Sequence, residues 1–169
     1  MNIYHPFDPA FENNGVTRNV LIYGYGNLGR CDDGLGVRCA QELENWVLDT
    51  GLEHVTVETS YQLNIEDSER IAGFDVIYFV DASLEDSVQD VSITRVEPNE
   101  LPIEFSMHAI NPGFVLKLCN TIFDKHPEVY LVHIRGFEWD FDERLTEGAR
   151  TNLFKAMDRI KEELSLVLT

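Results

Sequence analysis

Only three cysteines, Cys31, Cys39 and Cys119, occur in 169 residues, and no two form a CxxC pair. That scarcity excludes a disulfide framework and a cysteine-rich zinc site. It suits a reducing compartment, so a cytoplasmic protein is expected. Cations are also few: 13 Lys and Arg stand against 30 Asp and Glu, a formal net charge of -17. Phosphate backbones and anionic bilayers both repel such a surface, which removes nucleic acid and membranes from the expected partners. No apolar run approaches the roughly 18 residues of a membrane span. Residues 1–18 lack a basic stretch leading into an apolar one, and they read as an irregular leader, not a signal peptide. There is no internal repeat, no GxSxG and no HExxH, so neither a serine elbow nor that zinc motif is available for catalysis.

What is present is a globular composition, 44% hydrophobic, in which strand-like and helix-like segments alternate. Short apolar runs at residues 19–23, 55–59, 75–80 and 129–134 read as strands, and residues 91–96 alternate as an edge strand does. Between them, Val37, Ala40, Leu43 and Val47 recur at helical spacing, as do Phe114, Val115, Leu118 and Ile122. Leu153, Met157, Ile160 and Leu164 mark a final helix starting near Thr146. A short helix is expected over 65–71. Asn111-Pro112 is a helix start, with Asn as cap and Pro in the first turn. Strands alternating with helices predict one domain over residues 19–169. Its architecture is a three-layer α/β/α sandwich around a five-stranded, mostly parallel or mixed sheet, like that of phosphorylase- and hydrolase-type folds. No heptad repeat or exposed apolar helix is evident, and a monomer is expected.

Ligands of such sheets bind beyond the carboxyl ends of the strands. Gly24-Tyr-Gly26-Asn27-Leu-Gly29 follows the first strand and matches GxGxxG, which opens a dinucleotide reading with Glu58 as the ribose acid. Asp32 and Asp33 follow at once, where a pyrophosphate would need the helix N-terminus free for its own charge. Glu58 also lies further along than the usual spacing of about 20 residues. One of the two aspartates is expected to cap the helix. Two aspartates followed by Gly34 and Gly36 ask for more, because helix-end amides favour a deprotonated carboxylate, the form that binds a cation.

Asp81 closes the most apolar strand, and His108 precedes the Asn111 helix. In a parallel sheet Asp33 and Asp81 emerge at the same edge, and the next loop can bring His108 between them. Two carboxylates and one imidazole suit nickel, zinc or a similar divalent ion. Taken one at a time, Asp81 reads better as a turn or cap residue, and His108 as an ordinary loop histidine. The other histidines have no comparable setting; His133 falls inside a strand. Cys31, beside two aspartates, is poorly placed to form a thiolate.

Together these residues resemble the hydrogenase maturation endopeptidases. Gly26-Asn27, four residues, then Asp32-Asp33-Gly34-Leu35-Gly36-Val37-Arg38 is similar to that family's first signature. Val80-Asp81-Ala82 is similar to the second, and Ser106-x-His108 before a helix to the third. Tyr61-Gln62-Leu63-x-x-Glu66 looks like the form serving bidirectional, NAD-linked hydrogenases. The resemblance implies removal of a C-terminal extension from a nickel-iron hydrogenase large-subunit precursor after nickel insertion. Asp33, Asp81 and His108 would then be metal-recognising and catalytic, reading nickel that the precursor carries. Gly26, Asn27, Gly34 and Gly36 would line the substrate site. The sequence departs from the family in carrying Asp33 where glutamate is frequent. Two other classes remain open: a nucleotide-binding oxidoreductase on the glycine turn, and a non-catalytic nickel-sensing module. The Gly136–Asp142 stretch, with Phe137, Trp139 and Phe141 alternating with acids, reads either as part of a substrate cleft or as a turn packed on the sheet.

Overall fold

The computed structural model describes residues 17–100 and 110–168; most of the leader, and His108, lie outside the described residues. Five strands form one sheet: β1 (Val20–Tyr25), β2 (Val55–Ser60), β3 (Val76–Ser83), β4 (Val91–Arg95) and β5 (Glu128–Arg135). Their order is β2-β1-β3-β5-β4, with every neighbouring pair parallel except β4 against β5. The sheet is therefore mixed and mostly parallel, as the sequence predicts.

Helices cover both faces. Even-numbered apolar residues of β1, β3 and β5, such as Ile22, Tyr78, Val80 and Val132, pack with Leu35, Cys39, Leu43 and Val47 of α1 (Leu35–Thr50). The same cluster takes in Leu153, Met157, Ile160 and Leu164 of α4 (Glu147–Leu168). Odd-numbered Leu21, Tyr23, Ile77, Phe79 and Val129 face α2 (Asp67–Ile71) and α3 (Pro112–Phe123). This two-sided burial is why the central strands read as continuous apolar runs and not as alternating ones. No described helix is long and apolar enough to cross a membrane.

Local signals account for the helix ends. The Asn111 side chain accepts from the Phe114 amide at 2.9 Å, with Pro112 in the first turn. The Thr146 hydroxyl accepts from the Ala149 amide at 3.2 Å at the head of α4. Gly51, in the left-handed region, ends α1.

Two features differ from expectation. β3 does not stop at Val80: Asp81, Ala82 and Ser83 continue it, paired with His133, Ile134 and Arg135 of β5. The longer partner strand holds Asp81 inside the sheet. Neither Asp32 nor Asp33 caps α1, because a 3-10 turn over Cys31–Gly34 runs directly into it and Gly34 occupies the cap position.

α1 lies close against the strand ends. A side chain at Gly36 would collide with the carbonyl oxygens of Val80 and Tyr25, both rigid backbone. Gly36→Ala is expected to cost about 1–3 kcal/mol as an overpacked contact, read as a lower urea midpoint at unchanged slope.

Candidate functional site

β1 is the point where the strand order reverses, with β2 on one side and β3 on the other. A crevice at the carboxyl ends of β1 and β3 follows from that reversal. The turn after β1 and the end of β3 supply Asp33 and Asp81 to this crevice.

The turn after β1 is made possible by Gly26, whose φ of 141° excludes ordinary side chains. A Cβ there would also run into the Asp33 carbonyl oxygen, so the glycine lets the 3-10 turn fold back onto the strand end. Gly24, first of the GxGxxG pattern, lies within β1 and faces Gly36 and Ala40 of α1. Its role is helix–strand packing. Gly34 is buried beside Leu28. Asn27 organises the loop: its side-chain oxygen accepts from the Gly29 amide at 2.9 Å, and its amide group donates to the Tyr61 hydroxyl at 3.1 Å.

The adjacent aspartates point to different tasks. Asp32 is fully buried. Its carboxylate accepts from the Phe137 and Glu138 amides at 2.8 and 3.2 Å, and from the Thr146 amide and hydroxyl, each at 2.8 Å. Asp32 therefore ties the 136–146 loop and the start of α4 to the turn after β1. Asp33 is partly exposed. The Asn27 backbone, the Arg30 charge and the Trp139 side chain act on its carboxylate to favour the charged form. Desolvation still outweighs those three and pushes its pKa up.

Asp81 is partly buried on the α2–α3 face. One of its oxygens accepts from the Ala82 amide at 2.9 Å, and the Tyr25 side chain beside the carboxylate favours its charged form. Burial first, and the Asp33 charge second, raise its pKa to about 7. Asp33 thus lies near enough to Asp81 to act on it by like-charge repulsion. Two desolvated carboxylates that resist being charged together are matched to a cation, which would remove the repulsion.

Among the described residues no group of three His, Cys, Asp or Glu side chains gathers as a metal cluster. His108, the third expected ligand, lies outside them. His133 pairs in register with Asp81 across β3 and β5, and burial lowers its pKa while Glu85 opposes that shift. Tyr25 and Trp139 are the site residues that sequence reading missed. Tyr25 looks like strand core, and Trp139 carried only the signal of its aromatic–acid alternation. Glu58, the acid a ribose would need, is taken by Arg70, whose Nε donates to it at 3.0 Å.

No protein-family model matches the chain, and no curated protein sequence matches it. Solved structures do. A NiFe hydrogenase maturation protease, HycI, from Thermococcus kodakarensis superposes with a TM-score of 0.69 at 22% identity, covering 90% of this chain and 95% of that one. The hydrogenase 2 maturation peptidase of a Thaumarchaeota archaeon gives 0.63 at 19% identity, over 88% and 99%. The hydrogenase maturating endopeptidase HybD of E. coli gives 0.59 at 19% identity, over 84% and 89%. At these identities the likeness is one of fold.

The raised Asp81 pKa has a thermodynamic consequence. Between about pH 4 and pH 7 the folded protein keeps a proton on Asp81 that the unfolded chain has released. Stability held below pH 4 is therefore lost as pH rises through that window. In chelated, metal-free buffer, Asp81→Asn is expected to flatten this loss. At pH 8 it should be more stable than the parent by roughly 1–2 kcal/mol, a rise of about 2–6 °C in melting temperature. Equal pH slopes for the two proteins would contradict the assignment.

Proposed function

We propose that this chain is a hydrogenase maturation endopeptidase, which trims the C-terminal extension from a nickel-iron hydrogenase large-subunit precursor. The observation that carries the reading is the meeting of Asp33 and Asp81 at the switch point between β1 and β3, in a setting where each resists its own charge. The ordered motifs around Gly26-Asn27, Asp32-Asp33-Gly34, Asp81 and His108 support it, as does the fold shared with proteins of that activity.

In this reading nickel arrives as part of the substrate. Asp33 and Asp81, with His108, contact the ion, and its charge removes the repulsion that keeps a proton on Asp81. A divalent ion so held polarises a nearby carbonyl or acidifies a water. The remaining work belongs to the protein. The crevice orients the scissile peptide, and a water oxygen bonds to the carbonyl carbon. Asp33 or Asp81 accepts the water proton, the C–N bond breaks, and the proton passes to the departing amine. Gly26 and Asn27 border the crevice, with Gly34 and Gly36 at the head of α1. The Tyr61-Gln62-Leu63-x-x-Glu66 run favours a precursor of the bidirectional, NAD-linked type. Tyr61 is well placed for such a choice, being 65% exposed and bonded to Asn27.

The decisive measurement is the mass of a nickel-loaded precursor before and after incubation with the chain. Loss of a C-terminal fragment is expected. Asp33→Ala, Asp81→Ala and His108→Ala should each slow that loss by a factor of roughly 100 or more. A precursor that binds the chain and keeps its mass would leave a non-catalytic nickel-sensing module as the function.

A further inference from the structure

We infer that the rim beside Asp33, with Phe141 at its most open point, is a docking surface for a cationic and apolar patch on the hydrogenase precursor. This rests on the endopeptidase reading for the identity of the partner; the surface itself stands on the geometry. Phe141 is 90% exposed, more than any other large apolar side chain among the described residues. One apolar residue in water needs no explanation, but a contiguous set does. Phe141 belongs to such a set. Its ring lies 5.4 Å from the Arg30 guanidinium, exposed Leu28 stands two residues before Arg30, and exposed Tyr61 is bonded to Asn27. One short turn, 27–30, thus joins three open apolar side chains. The same turn leads to the chemistry: the Asp33 amide donates to the Arg30 carbonyl at 3.0 Å, and the Arg30 charge acts on the Asp33 carboxylate.

Phe141 is open, yet the chain that carries it is fastened on both sides. Before it, the Asp32 amide donates to the Glu138 carbonyl at 3.0 Å and the Arg30 Nε to the Trp139 carbonyl at 3.2 Å. After it, the Cys31 amide donates to the Asp142 carbonyl, and Arg30 and Asp142 form an isolated bridge. The Arg38 guanidinium then donates to the Glu143 carbonyl at 2.6 Å. Binding is weakened by the freedom a surface loses when a partner arrives, and here the backbone has lost it already. Aromatic side chains and arginine are also the residues enriched at the buried centres of protein interfaces.

Charge selects the occupant. Glu138, Asp140 and Glu143 are exposed beside Phe141, and among the described residues none of the three forms an ion pair. Asp142 alone of the loop's acids is paired, with Arg144 at 2.8 Å. A second copy of this chain, docked through the same rim, would set these acids against themselves, because a two-fold contact repeats its own residues. Like charges facing each other across an interface suppress such a pairing, and opposite charges favour it. The rim therefore fits a protein surface that offers cations around an apolar side chain. Under the proposed function the precursor is the protein that must reach this crevice.

The test measures both Kd for nickel-loaded precursor, at low and at high salt, and the kinetics of its trimming. Phe141→Ser is expected to raise Kd and KM by roughly 10-fold or more with kcat within about twofold, and Phe141→Leu to restore part of the loss. Glu138→Gln combined with Asp140→Asn should weaken binding by roughly threefold or more at low salt and flatten its salt dependence. Leu48→Ser, at a 73% exposed position on α1, should change neither constant. All these side chains are exposed, so each variant should keep the parent's urea midpoint. Parental Kd and KM in Phe141→Ser, from a chain that does trim the precursor, would overturn the docking surface and leave the function standing. A parent that binds the precursor without trimming it would end the proposed function, and the Kd series would still decide the surface. A parent that does not bind the precursor overturns both. A concentration-dependent dimer abolished by Phe141→Ser would assign the rim to a second copy and overturn the inference.

Discussion

The buried Asp32 carboxylate is the constraint on which the candidate site depends. It accepts four hydrogen bonds, three from backbone amides and one from a hydroxyl, and all four donors lie in one distant segment. A buried carboxylate is tolerable only when so completely paired. The pairing works in both directions, because the Phe137 and Glu138 amides, where the chain leaves the sheet, and the Thr146 amide at the head of α4 need acceptors of their own. The start of α4, the loop and the turn after β1 thus form one unit. In that unit the orientation of Asp33 is inherited from contacts made by its neighbour.

Against that rigid frame, the chemistry is deliberately unfavourable for an empty crevice. Asp33 and Asp81 are both desolvated and near each other, and the donors they accept from are too few to offset burial. The tension is of the kind found at functional sites. It also separates this glycine-rich turn from a phosphate-binding one. The backbone around Gly26 is filled by Asp33, and the acid a ribose would need is engaged by Arg70. A GxGxxG pattern has the same letters in both cases; the following residues decide which ion the turn accepts.

Most of the fold was legible because its signals are local. Apolar runs marked the buried strands, spacing marked the helical faces, and Asn111-Pro112 and Thr146 marked two helix starts through the hydrogen bonds they make. That Asp33 and Asp81 belong to one sheet edge was legible for a topological reason: parallel strands put the ends of β1 and β3 there. What could not be read depends on contacts between distant segments. Asp81 reads as a strand terminus until β5 is seen to pair beyond it. Asp32 and Asp33 read as equivalent caps until the 3-10 turn rotates one inward and leaves the other facing out. The 136–146 loop gives no hint of its partner, because nothing in its own neighbourhood names Asp32, about a hundred positions earlier.

The three thiols acquire a significance beyond packing. Cys31, Cys39 and Cys119 are all buried. Desolvation raises the pKa of each, to about 12 for Cys39, and the acids around Cys31 raise it further. A borderline metal ion offered both sulfur and oxygen donors commonly prefers thiolate. Here the soft donors are protonated and buried, so the proposed site would offer carboxylates and an imidazole instead of thiolate. Under the proposed function, contact with an ion carried by the precursor would then stay brief, and the metal would be inspected without being extracted.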